Sequence, residues 1–221
     1  MEQLDTPFLI RLFRAVALQL EEHREQLCAL DGEIGDGDHG TSMANGFAAV
    51  ARLGQRPETR ALAPAAFLRQ AASVFLGDVG ATVGPLYASA LLQAAKLYDT
   101  RPDLPVEELA LLLQALTDGI AARGKADPGD KTMLDAWLPA LSAAQQARGE
   151  GALAADQARA AAIAAEEGAQ ATITMIASRG RAARLNERSL GKLDPGAVSA
   201  SLILSCFAEL LASPAPGPGE A

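Results

Sequence analysis

The chain has 221 residues, of which 49% are hydrophobic, and carries a formal net charge of -8. That length suffices for one large core, and the acidic balance excludes a nucleic-acid binder, which needs a cationic face to neutralise phosphates. Aromatic residues make up only 4%, while alanine and leucine abound and β-branched runs are scarce, a composition that predicts an all-α fold.

Leu9, Phe13, Val16 and Leu20 form a stripe at helical spacing, and the first helix is expected over residues 6–29. A glycine-rich turn over 30–38 leads into a second helix from His39 to about Leu53. The third and fourth helices are expected near 60–76 and 83–98. Pro105, followed by Glu107 and Glu108, opens a fifth, because proline suits the first turn and acids suit its positive end. This helix ends near Arg123-Gly124. A sixth follows over 130–147 and a seventh over 154–179. Asp194-Pro195-Gly196 starts an eighth, with Asp194 as N-cap and Pro195 in the first helical position.

Eight helices with few long linkers predict a single antiparallel bundle or helical barrel over residues 1–212. The tail 213–221, rich in proline and glycine, is expected to be disordered. The longest irregular stretch, 180–194, is rich in Arg, Gly and Asn, and a loop of that length in a compact domain points to function. Cys28 and Cys206 both read as buried small hydrophobes, without a disulfide framework. The acidic N-terminus is unlike a signal peptide, and no apolar run approaches the ~20 residues of a membrane span. A cytoplasmic protein that does not use the membrane is expected.

The strongest chemical signal is Asp31, Asp36 and Asp38 in one turn, with Gly35, Gly37 and Gly40 around the last two. Carboxylates this close repel one another unless a cation sits among them. Hard cations such as Mg2+ take oxygen ligands and complete their shell with water and phosphate oxygens. The glycines allow the chain to bend so that the acids converge, and the helix that begins at His39 offers N–H groups to phosphate oxygens. A single aspartate would read as a cap or turn residue; three with intervening glycines favour a metal. The spacing does not fit an EF-hand, since Gly40 and Phe47 fall at the fifth and twelfth positions counted from Asp36.

Three weaker features accompany this loop. Gly77 to Pro85 is a second glycine loop able to lie over phosphates. Gly119 to Lys125 mimics part of a P-loop, but Ala126 replaces the metal-binding hydroxyl and the segment ends a helix. Ser178 to Ser189 carries several arginines, most of them expected in solvent; one reaching a nucleotide would supply the positive charge of phosphoryl transfer. In Pro128-Gly129-Asp130-Lys131-Thr132-Met133, Asp130 reads as an N-cap and Lys131 as a solvated charge. Arg123-Gly-Lys-Ala126 before Asp127-Pro-Gly129 echoes Arg179-Gly-Arg-Ala182 before Asp194-Pro-Gly196. His39 reads as a contact residue, and His23 as inert.

Glu33-Ile-Gly-Asp-Gly-Asp-His-Gly40, Gly84-Pro-Leu-Tyr87, Arg123-Gly-Lys-Ala126 with Pro128-Gly-Asp-Lys-Thr-Met133, Gly180-Arg-Ala182, Glu187-Arg-Ser189 and Asp194-Pro-Gly196 occur in order along nearly the whole chain. Together they resemble the L subunit, or ADP-binding subunit, of bacterial dihydroxyacetone kinases, the DhaL or DAK2-domain family. The resemblance implies an eight-helix antiparallel barrel. It implies two Mg2+ ions held by Asp31, Asp36 and Asp38, which with Arg181 form the catalytic set. It implies ADP or ATP contacts from His39, Gly40, Thr41 and Ser42, from Thr82 and Val83, from Gly124 and Met133, and from Arg181, Asp194, Pro195 and Gly196. One departure stands out: Val83 occupies the family's usual serine position, with the hydroxyl of Thr82 beside it.

The resemblance further implies a phosphotransferase that acts with partners. A dihydroxyacetone-binding kinase subunit would hold the triose, and a phosphohistidine multiphosphoryl-transfer subunit, charged from phosphoenolpyruvate, would regenerate ATP on the bound nucleotide. An ATP-dependent kinase subunit for a related ketose, a nucleotide-sensing module without phosphotransfer, and a homodimer stay open as alternatives.

Overall fold

The computed structural model describes residues 2–80 and 83–212. Its α-helices are α1 (Thr6–Glu22), α2 (Arg24–Ile34), α3 (His39–Gly54), α4 (Pro64–Asp78), α5 (Val83–Thr100), α6 (Leu109–Gly124), α7 (Leu134–Gly149), α8 (Ala154–Ala171) and α9 (Pro195–Ala212). No β-strand occurs among the described residues. The expected tail 213–221 and Thr82 lie outside the described residues.

Eight of these helices close a ring. Neighbours pack in the order α1, α3, α4, α5, α6, α7, α8, α9 and back to α1, and α2 stands outside between α1, α3 and α9. The all-α barrel expected from the sequence is therefore the fold, with α2 as an additional helix. It arises because the single expected helix over 6–29 breaks at His23. There the backbone N–H and the imidazole Nδ1 both approach Gln19 O, at 3.2 and 2.9 Å, and the helical ladder bends away. The chain then stays helical to Ile34, so Asp31 sits on a helix and the glycine turn shrinks to residues 35–38.

Other boundaries moved for local reasons. The helix expected over 154–179 stops at Ala171, where the Thr172 hydroxyl donates back to Ala169 O at 2.6 Å. The helix expected from residue 130 starts at Leu134. The turn before it is capped by Asp135, whose carboxylate accepts from Gly129 N at 2.6 Å and Thr132 N at 2.8 Å. Pro105 precedes a 3-10 turn, Val106–Glu108, ahead of α6. Asp194 does cap α9, accepting from Ala197 N at 2.7 Å.

The ring is filled from inside by Leu9, Phe13, Phe47, Phe67, Phe75, Trp137 and Phe207, all buried. Phe47 meets Phe75 edge-on at 5.0 Å between centroids. Cys206 is buried as expected, but Cys28 is only half-buried, with its Sγ 3.5 Å from Thr41 Oγ1. By length and composition α9 could cross a membrane, contrary to the sequence reading; half of it is buried inside the ring, as befits a core helix.

Small residues let the helices approach closely. Gly119 of α6 faces the backbone of α5, where an added Cβ would lie 2.5 Å from Ser89 O and 2.6 Å from Ala90 Cα. Backbone cannot yield as a side-chain tip can. Gly119→Ala is therefore expected to lower stability by about 1–3 kcal/mol, the usual cost of overpacking, despite alanine's better helix propensity. Thermal denaturation checks this; an unchanged or raised Tm would mean that the α5–α6 contact relaxes without cost.

Candidate functional site

Consecutive antiparallel helices send alternate connections to the same end of a barrel. The α2–α3, α4–α5, α6–α7 and α8–α9 connections consequently gather at one end. They surround a cleft of about 500 Å3 lined by residues of all four, among them Asp31, Asp36, Asp38, Ser42, Gly80, Val83, Leu86, Arg123, Lys131, Met133, Arg179, Arg181 and Asp194. Both segments of the Arg-Gly-x-Ala echo face this cleft.

Asp31 projects from the last turn of α2, and Asp36 and Asp38 from the turn that follows. One carboxylate oxygen of each lies within 4.8 Å of the others. Asp31 Oδ2 also accepts from the Asp38 and His39 N–H groups at 2.9 and 3.2 Å, which fixes the turn against the helix. A Cβ on Gly35 would collide with the Asp31 carboxylate, so only glycine fits beneath it. Crowding is visible in the chemistry: burial, then the Asp36 charge, push the Asp38 carboxyl above the usual range, while Arg181 opposes. Arg181 forms an ion pair with Asp36 and stands 3.8 Å from Asp38. Three convergent oxygen donors with excess negative charge suit a hard divalent cation such as Mg2+.

His39 opens α3 but turns inward. Its Nε2 lies 2.9 Å from Ser199 Oγ, whose proton goes to Gly196 O at 3.0 Å, so the imidazole donates to the serine. Burial lowers its pKa to about 4, more than Asp31 can offset. It is thus neutral at pH 7. Ser42, Val83, Gly124, Met133, Pro195 and Gly196 line the cleft. Val83 sits in the first turn of α5, where it presents no hydroxyl. Gly40 and Thr41 do not line the cleft: Gly40 packs against the α2 backbone at Arg24 and Cys28, and Thr41 is exposed.

Sequence reasoning missed Lys131 and Asp135. Far from a solvated charge, Lys131 is 1% exposed. Its ammonium donates to the carbonyls of Thr172 (2.7 Å), Met175 (3.1 Å), Ser189 (2.8 Å) and Lys192 (2.5 Å). Burial lowers its pKa, and Asp194 partly restores it. The residue also takes a left-handed backbone, φ 60, at a cost of about 1–2 kcal/mol. No local signal reveals this, because its partners are backbone carbonyls distant in sequence. Asp130, expected as an N-cap, instead accepts from Ser178 Oγ at 2.5 Å and Arg179 Nε at 2.9 Å. Those bonds, with the N–H of Asp127, hold its pKa down to about 2.

A ring of helices with an acidic cleft at one end, able to take a hard cation, is a helical barrel and neither a P-loop nor a Rossmann fold. Residues 33–209 match the DAK2 domain. The chain is 39% identical to the ADP-binding subunit DhaL of the PEP-dependent dihydroxyacetone kinase of Escherichia coli, over 83% of this chain and 87% of that one. It is 35% identical to a corresponding DhaL subunit of Listeria innocua, over 94% and 96%. The dihydroxyacetone kinase of C. freundii, solved with AMP-PNP and Mg2+, superposes with a TM-score of 0.68 at 26% identity, covering 92% of this chain. This chain spans 34% of that longer kinase. The chain belongs to the DAK2-domain family.

Asp194 lines the same cleft and is buried; burial, aided by the Asp135 and Asp31 charges, raises its pKa to about 7. The folded state therefore keeps a proton that the unfolded chain, at 3.8, has already lost. Its contribution to stability is full below about pH 4 and is lost as pH rises through about 7. Asparagine would retain the cap without the charge. Asp194→Asn is expected to melt higher than the parent at about pH 8 without added metal, and the gap should close near pH 4. Calorimetric melts across this range check it; a gap that does not vary with pH would refute the assignment.

Proposed function

We propose that this chain is the nucleotide-carrying subunit of a dihydroxyacetone kinase, a phosphotransferase. In this reading it holds Mg-ADP and Mg-ATP and presents the γ-phosphoryl to dihydroxyacetone bound on a separate kinase subunit. The observation that carries it is the cluster of Asp31, Asp36 and Asp38, with Arg181 among the carboxylates, at the mouth of a cleft large enough for a nucleotide. The similarity to DhaL subunits over nearly their full length supports the identity of the ligand and of the triose-binding partner.

In the proposed arrangement, the three aspartates hold two Mg2+ ions, which when bound neutralise charge on the phosphate oxygens. Arg181 adds a guanidinium to the same oxygens. Ser42 at the start of α3 and the turn Asp194 to Gly196, which line the cleft, would face the phosphates in this reading. Val83, Gly124 and Met133 also line the cleft and in this reading would contact the nucleotide. Recharging by a phosphohistidine subunit fed from phosphoenolpyruvate accords with the names of the relatives, which are PEP-dependent. Both cysteines are free, in accord with a cytoplasmic location.

Two measurements test this. Freshly purified protein, once denatured, is expected to release about one equivalent of ADP, the signature of a nucleotide retained as a cofactor; none released would favour exchange of free ATP. Asp36→Asn is expected to weaken Mg2+-dependent ADP binding by more than about tenfold, the least that loss of a ligand should cost given typical outer-shell effects. Helical content should stay near normal by circular dichroism. Unchanged affinity by calorimetry would remove the metal assignment.

A further inference from the structure

The arm between α8 and α9, residues 172–194, leaves the barrel, passes Arg181 across the cleft and returns. It contains only short 3-10 turns, Thr172–Thr174 and Ala182–Ser189. Arg179, Arg184 and Arg188 are exposed, as is much of the arm around them, so little apolar burial holds it. A segment of this kind is stabilised chiefly by whatever pins its base.

That pin is Lys131. Thr172 and Met175 lie on the outgoing limb, and Ser189 and Lys192 on the returning one, and carbonyls of all four converge on one buried ammonium. Three N–H donors serve four acceptors, so one bond is shared. Neighbouring contacts tie the same base: Gly191 N donates to Ile173 O at 2.8 Å, Ala177 N to Ser189 Oγ at 2.9 Å, and Asp194 N to Thr172 Oγ1 at 3.0 Å. The adjacent residue, Asp130, holds Ser178 and Arg179 from outside the loop. Lys192 pairs with Glu33 at 2.7 Å. Arg181 follows Arg179 after one glycine, Gly180, whose φ of 66 turns the chain toward Asp36 and Asp38.

We infer that Lys131 is a positioning residue for phosphoryl transfer: by clamping both limbs of the arm through their carbonyls, it sets where the Arg181 guanidinium stands over the metal loop. The inference rests on the proposed role of Arg181 at the phosphates. Lys131 touches neither nucleotide nor triose in this role. Its charge is used within the protein, satisfied by carbonyl dipoles, and the arm needs it because a water-filled base would leave those carbonyls free to let the limbs part.

The experiment is a double-mutant cycle with the full chain, its triose-binding partner and dihydroxyacetone. Phosphoryl transfer is read in a single turnover from preloaded Mg-ATP. Arg181→Ala is expected to slow transfer, and Lys131→Met to slow it comparably, by about a hundredfold, as misplacement of a transition-state contact does. The pair together should be no slower than Arg181→Ala alone. KM for dihydroxyacetone should not move. Hydrogen exchange should accelerate for amides of residues 176–190 in Lys131→Met, while the helices of the ring keep their protection. Where Lys131→Met does not yield folded protein, Lys131→Gln carries the same cycle, since its amide still serves two of the carbonyls. Multiplying effects in the double variant would overturn the inference while leaving the role of Arg181 intact. Transfer unaffected by Arg181→Ala would overturn both.

Discussion

Three carboxylates brought within 4.8 Å of one another set the terms for this protein. Two like charges about 4 Å apart repel by about 1 kcal/mol in bulk water and several-fold more near a protein surface. The molecule meets that cost with positive charge at the same point, and Arg181 delivers it from the far end of the chain. Cations opposite the cluster relieve this repulsion. The chain's acidic balance makes the same point at larger scale, since a polyphosphate could approach this surface only where metal or guanidinium stands ready.

Topology decides that this charge balance can be struck at all. In a ring of up-and-down helices, every second connection arrives at one end. The aspartate turn, the second glycine loop, the 125–133 connection and the arginine arm become neighbours without being close in sequence. The close approach of α6 to α5 at Gly119 and of α8 to α7 at Gly168 keeps that end narrow. The arm gains little from apolar burial, and a buried lysine and an outer aspartate, adjacent in sequence, fasten it from two sides.

Burial suppresses the charge of two residues that line the cleft. His39 is held neutral, and Asp194 holds a proton over much of the acidic range. Both side chains are used for hydrogen bonds within the fold, to Ser199 and to the first turn of α9. At the mouth, Asp36, Asp38 and Arg181 are each about half exposed.

What the sequence by itself determined is what short-range chemistry encodes. The helical stripe of Leu9, Phe13, Val16 and Leu20, the cap at Asp194 and the glycine-flanked acids were legible because each depends on residues a few positions apart. Helix ends were less so: the break at His23 and the stop at Thr172 turn on one hydrogen bond each, which competes with an otherwise continuous pattern. Only the tertiary structure decided that Asp31 rides on a helix, that Arg181 meets Asp36, and that Lys131 is buried. Lys131 read as solvated because nothing nearby could satisfy it; its partners are carbonyls of a segment that reaches it only when the ring closes. Contacts between backbone atoms and distant side chains leave no residue pattern, and for that reason the fold alone could assign them.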